Sequence, residues 1–235
     1  MNSCRVKLKN KCEVAENAMT FEFEKPRDFR FIAGQFIILT LIDPLENDQK
    51  GNSRPMSIAS APHEDYLLVL TRLSDSAFKQ NLMNLALGSE VEIKGPLGSL
   101  CLNKDISRPQ VMLAGGVGVA PLRSMIFYSV HEQTGHKIYL FYCNRRPESA
   151  PFLKIFQKLE SAKFHFIPTM TRMNTSKKQW HGECGRINPE MIQRHLPKLT
   201  DSDFYIVGPP QFVKDLSSSL EEAGVNKKDI RTEVY

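Results

Sequence analysis

The chain has 235 residues, 41% of them hydrophobic and 24% charged, a globular composition that excludes a wholly disordered chain, a collagen-like fibre and a disulfide-dense miniprotein. Its formal net charge of +5 is unevenly spread: 13 Lys and Arg stand against 14 Asp and Glu through Asp105, and 18 against 12 after it. The second half therefore favours anionic ligands or acidic partners, while the lack of an arginine-rich block or zinc-finger spacing argues against nucleic acid.

The basic opening, MNSCRVKLKNK, leads into no apolar segment and does not read as a secretory signal. The longest apolar stretch, residues 111–122, is far shorter than the ~20 residues of a membrane span, so a mature cytoplasmic chain starting at Met1 is expected. Val6 and Leu8, then Phe21 and Phe23, fall at strand spacing, and residues 36–42 and 66–71 are apolar runs of strand length. Ser76 caps a helix whose Phe78, Leu82 and Leu85 share a face before Gly88 ends it. Residues 91–94 alternate and stop at Gly95-Pro96-Leu97-Gly98, which reads as a turn. Short strands between turn signals predict a small antiparallel barrel.

After the polar residues 103–110 the pattern changes. Strand 111–114, a helix from Pro121 to about Glu132, strand 138–143, helix 152–160, strand 164–169, helix 189–196, strand 204–207 and helix 211–223 follow in turn. This alternation predicts an open parallel sheet with helices on both faces. The boundary is placed near residue 105, giving domains 1–105 and 106–235.

Three segments carry chemistry. Gly116-x-Gly118-x-x-Pro121 lies between a strand and a helix, where glycines admit a pyrophosphate to the backbone and the helix start offers free N–H groups. It is a phosphate cradle or a plain tight turn, and the strand–turn–helix context favours the cradle. No Asp or Glu between Gln133 and Pro147 is available to hold a ribose hydroxyl; that window has Asn144, Arg145 and Arg146 instead. Tyr205-Ile-Val-Gly208-Pro209-Pro210 ends a predicted parallel strand, as a ligand-binding turn or a simple Gly-Pro turn. Arg54-Pro55-Met56-Ser57 places an arginine fork beside a strand, where it either holds a phosphate or is a surface charge. Cys4, Cys12, Cys101, Cys143 and Cys184 show no C-x-x-C or iron–sulfur spacing, and the six histidines show no H-x3-H pairing, so no metal is expected. No G-x-S-x-G elbow is present to support a serine hydrolase.

In order, Gly34-Gln35-Phe36, Arg54-Pro55-Met56-Ser57, Gly95-Pro96-x-Gly98, Gly115-Gly116-x-Gly118-x-x-Pro121, Gly208-Pro209-Pro210 and Glu233-Val234-Tyr235 resemble the ferredoxin–NADP⁺ reductase-like flavoprotein family. The resemblance covers essentially the whole chain and points to the stand-alone two-domain members, the ferredoxin or flavodoxin reductases and flavin reductases. It implies an N-terminal antiparallel Greek-key β-barrel that binds flavin, FAD or less often FMN, followed by an open parallel-sheet α/β domain that binds NAD(P)H. It implies that Arg54 pairs with the flavin phosphate, that Pro55 and Met56 flank the ring, and that Ser57 lies near flavin N5. Leu70, Thr71 and Arg72 would line the flavin, and Ser76 and Ala77 would offer N–H groups to its phosphate. Gly116, Gly118 and Pro121 would meet the nucleotide pyrophosphate, with Asn144 and Arg145 alongside and Gly208-Pro209 at the nicotinamide end. Glu233 and Tyr235 match residues beside the flavin ring and join Ser57 as catalytic residues; Tyr235 would stack on the ring and gate nicotinamide.

Thr171-Arg172 matches a pair that grips the 2′-phosphate, with Arg145, Lys177 and Lys178 to assist, which favours NADPH over NADH. Two positions depart from the family pattern: Met56 stands where an aromatic ring is usual, and Val207 where a cysteine often precedes Gly-Pro. The implied activity is hydride transfer from NAD(P)H to flavin N5, with electrons passed to an acidic carrier such as ferredoxin or flavodoxin, or to a reductase-dependent oxygenase. The alternatives are a reductase that releases reduced free flavin and a non-catalytic electron-transfer subunit.

Overall fold

A computed structural model describes residues 3–46, 48–196 and 198–235. Strands β1 (Ser3–Ala15) and β2 (Ala18–Glu24) form a hairpin that turns at Asn17, whose positive φ of 57° suits an asparagine. With β3 (Phe36–Leu41), β4 (Ser53–Ser57), β5 (Tyr66–Arg72) and β6 (Glu90–Leu97) they make a six-stranded antiparallel sheet in the order β4-β3-β6-β1-β2-β5. The sheet curls until its edges meet: Ile58 bridges Val69, and the Ala59 N–H donates to the Leu68 carbonyl at 2.7 Å. Alternate side chains point inward, so Phe21, Phe23, Ile37, Leu39, Val69 and Ile93 fill the interior. Helix α1 (Ala77–Asn84) plugs this core with Phe78 and Leu82, and the Ser76 hydroxyl caps it by accepting from the Lys79 N–H.

Gly95-Pro96, expected as a turn, lies inside β6. The register against β3 shifts between Phe36 and Ile38, and this irregularity takes up a proline that has no N–H for the ladder. The chain turns later, at Gly98, where φ is +91°.

The second sheet is wholly parallel, in the order β10-β9-β8-β7-β11-β12. Its strands are β7 (Gln110–Gly115), β8 (Ile138–Asn144), β9 (Phe164–Met170), β10 (Glu183–Cys184), β11 (Asp203–Gly208) and β12 (Ile230–Val234). Met112 and Ala114 pack under α2 (Val119–His131) and α3 (Leu153–Leu159), while Val111 and Leu113 face α4 (Pro189–Gln193) and α5 (Pro210–Glu222). This two-sided burial explains why these strands read as continuous apolar runs. The short β10 and the edge strand β12 were not expected from the sequence.

The two sheets share one packed seam. Ala18, Ala59, Leu68 and Leu70 from the first join Val119, Leu122 and Met125 of α2 in a single apolar cluster. Within it, the buried Arg123 guanidinium donates to Glu64 at 2.9 and 3.1 Å and to the Ala59 carbonyl at 2.6 Å, and lies over the Phe127 ring at 3.9 Å. The Ser124 hydroxyl donates to the Ser60 carbonyl at 2.6 Å. The relative position of the sheets is thus fixed by side chains that close-packing and desolvation make costly to separate. Among the described residues no helix is long and apolar enough to cross a membrane.

Candidate functional site

A cavity of about 1070 Å³ opens where β4, the end of β5, α1 and the chain's last residues converge. That volume lies at the upper end for cofactor sites. Arg54, Pro55, Met56 and Ser57 line one wall, Leu70, Thr71, Arg72 and Ser76 another, and Glu233, Val234 and Tyr235 a third. Ala77 is the first residue of α1, next to Ser76. Val117, from the glycine turn after β7, also reaches the cavity, so the turn that opens the second sheet faces the same space.

The cavity holds a hydrogen-bonded triad drawn from the end of β4 and the chain's last residues. The Ser57 hydroxyl donates to Glu233 Oε1 at 2.7 Å and lies 2.7 Å from the Tyr235 hydroxyl. With its own proton given to Glu233, Ser57 accepts from Tyr235, and the three groups form a directed chain. β12 carries Glu233 there by pairing with β11, and the Tyr235 N–H is anchored on the Gly208 carbonyl at 3.2 Å. Burial pushes the Glu233 carboxyl above the ordinary carboxylate range, against the lowering effect of Ser57 and Tyr235. Burial, then the Glu233 charge, pushes the Tyr235 phenol far up, so it stays a proton donor. Tyr235 as a whole residue remains partly exposed while its hydroxyl is hydrogen-bonded to Ser57.

Cations also line the cavity. Arg54 Nη2 donates to both Asp48 oxygens at 2.8 Å, and Nη1 donates to the Lys50, Gly51 and Ser53 carbonyls. The guanidinium also lies over the Phe78 ring at 4.9 Å. Lys79 is half-buried and makes no ion pair among the described residues. Burial, followed by the charges of Arg72 and Arg54, lowers its ammonium below the usual lysine value. A desolvated lysine facing two arginines is a place that an anion relieves. A large cavity with an apolar floor, a proton-donating triad and unsatisfied positive charge fits a phosphate-bearing flavin.

The remaining expected residues lie along the carboxyl edge of the parallel sheet, where such sheets bind ligands. A Cβ on Gly118 would lie 2.4 Å from the Val207 carbonyl oxygen and 3.0 Å from the Gly208 Cα, so the first glycine turn and the Gly208-Pro209 turn are packed together. Gly116, at φ +56°, sits against Arg72, whose Nη2 would be 3.0 Å from a Cβ there. Pro121 is buried in the first turn of α2. Asn144 ends β8, buried, with its side-chain nitrogen unpartnered. The Arg172 N–H donates to the Arg145 carbonyl at 2.8 Å, which brings these two exposed arginines side by side beyond β8 and β9. Arg146 points elsewhere, ion-paired with Glu16 of the first sheet.

Sequence reasoning missed Asp48, Lys50, Lys79 and Val117 as cavity residues. Lys79 follows the Ser76 cap by three positions, a spacing that puts it on the first turn of α1; Asp48 carries no local signal. His63 and His131 stack with ring centroids 3.7 Å apart beside Glu132, a grouping that the spacing of the histidines along the chain does not announce.

Two family models match the chain. A family model described as an oxidoreductase FAD-binding domain matches residues 5–101, and one described as an oxidoreductase NAD-binding domain matches residues 112–218. Flavohemoprotein A of Dictyostelium discoideum is 24% identical over 96% of this chain and 58% of its own length. Reductase component 2 of a Comamonas terephthalate 1,2-dioxygenase is 25% identical over 88% of this chain and 60% of its own. The chain thus spans about three-fifths of the length of either relative. A ferredoxin NADP⁺ reductase from Neisseria gonorrhoeae, solved with FAD and NADP, superposes with a TM-score of 0.82 at 24% identity, covering 99% of this chain and 98% of that one. A cytochrome P450 reductase of Amycolatopsis superposes at 0.83 with 20% identity, over 99% and 69% of the two chains.

Proposed function

The chain belongs to the ferredoxin–NADP⁺ reductase-like flavoprotein family, and from that premise we propose that it is an NAD(P)H-dependent reductase passing electrons to an acidic carrier protein. Residues 1–105 form the flavin-binding unit and residues 106–235 the nucleotide-binding unit. The flavin, when bound, supplies a ring that takes hydride from the nicotinamide at N5 and releases the electrons onward. The observation that carries the reading is the Ser57–Glu233–Tyr235 triad, which joins the flavin-side strand β4 to the end of β12 at the seam of the two sheets.

Arg72, Lys79, Ser76 and Ala77 hold the flavin's phosphates, with Arg54 beside them, and Leu70, Thr71, Pro55 and Met56 bound the ring. Met56 gives a thioether face where an aromatic would stack. Gly116, Gly118 and Pro121 bring the nucleotide pyrophosphate to the start of α2, with Asn144 at its flank and Gly208-Pro209 guiding the nicotinamide to the triad. Arg145 and Arg172 take the 2′-phosphate of NADPH through charge-assisted bonds. Ser57 and Glu233 hold a proton beside the reacting atom. Tyr235, at the cavity's edge, would shield a bound flavin from water and would have to move aside for a nicotinamide to dock.

The carrier assignment draws on the charge asymmetry of the chain, with 18 Lys and Arg against 12 Asp and Glu after Asp105. The comparison relative from the terephthalate system is itself the reductase component of an oxygenase, which makes an oxygenase the other terminal acceptor in this reading. The test is NADPH-driven reduction of a ferredoxin or flavodoxin across a salt series. The expected rate falls steeply as salt rises; a rate indifferent to salt, or turnover with free flavin alone, overturns the carrier assignment.

A further inference from the structure

His63, His131 and Glu132 meet at the seam where α2 ends. His63 lies in the connection between β4 and β5, and His131 and Glu132 close α2, so the cluster draws on both halves of the chain. One nitrogen of each imidazole and one oxygen of Glu132 all lie within 4.8 Å of one another, with His131 Nε2 3.8 Å from Glu132 Oε1. The glycine turn at the other end of α2 is about 20 Å away along the helix axis, which keeps this cluster apart from the cavity.

The ligand atoms of all three groups are free. Among the described residues none of these side chains engages in a hydrogen bond, and His63 Nδ1 is enclosed without any partner. An enclosed ring nitrogen left unbonded is uncommon, and a bound ion is one of the few things that account for it. The neighbouring charges are already engaged. Glu64 is paired with Arg123, and the Lys25 ammonium is held by the Pro62 and Glu64 carbonyls at 2.5 and 3.0 Å. Glu132 is left as the charge that a cation meets.

Two imidazoles and one carboxylate are a donor set for borderline divalent transition metals such as Zn²⁺, whereas Mg²⁺ and Ca²⁺ take oxygen ligands. Zinc accepts three protein ligands with water in the fourth position. The two rings stack, with centroids 3.7 Å apart and planes 13° from parallel, so their lone pairs run side by side and one ring must tilt to meet an ion. His131 is free to do so, because it is exposed and ends its helix. Bonds of about 2.1 Å set the ligand atoms of a tetrahedral site roughly 3.4 Å apart, so closure from the present spacing takes a side-chain movement of ~1.4 Å or less.

We propose that His63, His131 and Glu132 form a site for a divalent transition-metal ion of the zinc class, which clamps the end of α2 to the β4–β5 connection across the seam. Arg123 already ties the first half of this helix to Glu64, and the ion adds a second tie at its end.

The experiment treats the full-length protein with EDTA, removes the chelator and titrates with Zn²⁺ by calorimetry, with Mg²⁺ in a parallel run. One Zn²⁺ per chain is expected, with a dissociation constant below about 100 µM, and no binding of Mg²⁺. At about 10 times the measured constant, Zn²⁺ should raise the melting temperature by roughly 3–6 °C. His63→Gln and His131→Gln are each expected to weaken Zn²⁺ by about tenfold or more and to lose that thermal shift. Melts in EDTA confirm that the variants are folded, and His131→Gln, at an exposed position, carries the test if His63→Gln is unstable. Co²⁺ in place of zinc is expected to show no sulfur charge-transfer band, which separates this site from the exposed thiols of Cys12 and Cys184. Weaker binding than this in the wild type, binding that a folded histidine variant leaves unchanged, or a sulfur band overturns the proposal.

Discussion

The ion pair between Arg123 and Glu64 holds the two sheets in register, and Arg123→Met tests how strongly. Arg123 is 5% exposed and Glu64 is also largely enclosed, so the variant leaves a carboxylate in the seam without its counter-charge. Breaking one side of a buried pair costs about 3–5 kcal/mol. Glu64 can escape by taking a proton, which from an ordinary carboxyl value costs about 4 kcal/mol at pH 7.5 but only ~1 kcal/mol at pH 5. In the wild type, burial raises Glu64 but the Arg123 bonds and charge outweigh it and leave the carboxyl below its usual value. Its contribution is therefore present above the unfolded pKa and lost as pH falls through the folded one. In the variant the unpaired carboxyl is raised instead, so the variant loses stability as pH rises. The gap between the two proteins should reach about 4 kcal/mol at pH 7.5, or roughly 8–16 °C in melting temperature, and shrink at pH 5. Calorimetry at both pH values, in a cycle with Glu64→Gln, reads the coupling directly. A gap independent of pH, or a coupling energy below about 0.5 kcal/mol, refutes the reasoning.

Gly118→Ala puts a methyl 2.4 Å from the Val207 carbonyl oxygen, and overpacking of this kind costs about 1–3 kcal/mol; NADPH difference spectra should show affinity weakened by about tenfold or more with flavin content retained. Arg172→Ala should weaken NADPH by about tenfold or more and leave NADH unchanged, a pattern read from coenzyme titrations of the two proteins in parallel. Glu233 is raised by burial, so the docking of the chain's last residues is strongest below its unfolded pKa and loosens as pH rises through the raised value. Hydrogen exchange at Val234 and Tyr235 across that window should show the loss, and Glu233→Gln should flatten it.

The sequence was most legible where burial is strongest. The apolar runs of β7, β8 and β11, enclosed on both faces, were found at nearly their full length. β12 was missed because it is an edge strand with one exposed side and a mixed pattern, Ile230-Arg-Thr-Glu-Val. β10 holds only two residues and forms because Glu183 pairs with Thr169, a tertiary event without a local signal. Helix 189–196 proved shorter, ending at Gln193, with the Asn188 side chain capping its start and backbone bonds from Arg194, His195 and Leu196 closing it in a turn. The positions of Glu233 and Tyr235 at the cavity came from family resemblance; no periodicity could have brought residues 176 and 178 positions away onto Ser57. Asp48 was invisible for the same reason, because its significance lies only in which arginine the loop delivers it to.

In the proposed reaction one chain holds a flavin and reduces it with a nicotinamide at the Ser57–Glu233–Tyr235 triad. The most direct measurement is the visible spectrum of the purified protein before and after anaerobic NADPH, with NADH in a parallel cuvette. A flavin band near ~450 nm that bleaches with NADPH, and more readily than with NADH, is the predicted result. A band that neither coenzyme bleaches would contradict the account, because the cofactor would then be bound in a site the nucleotide cannot reach.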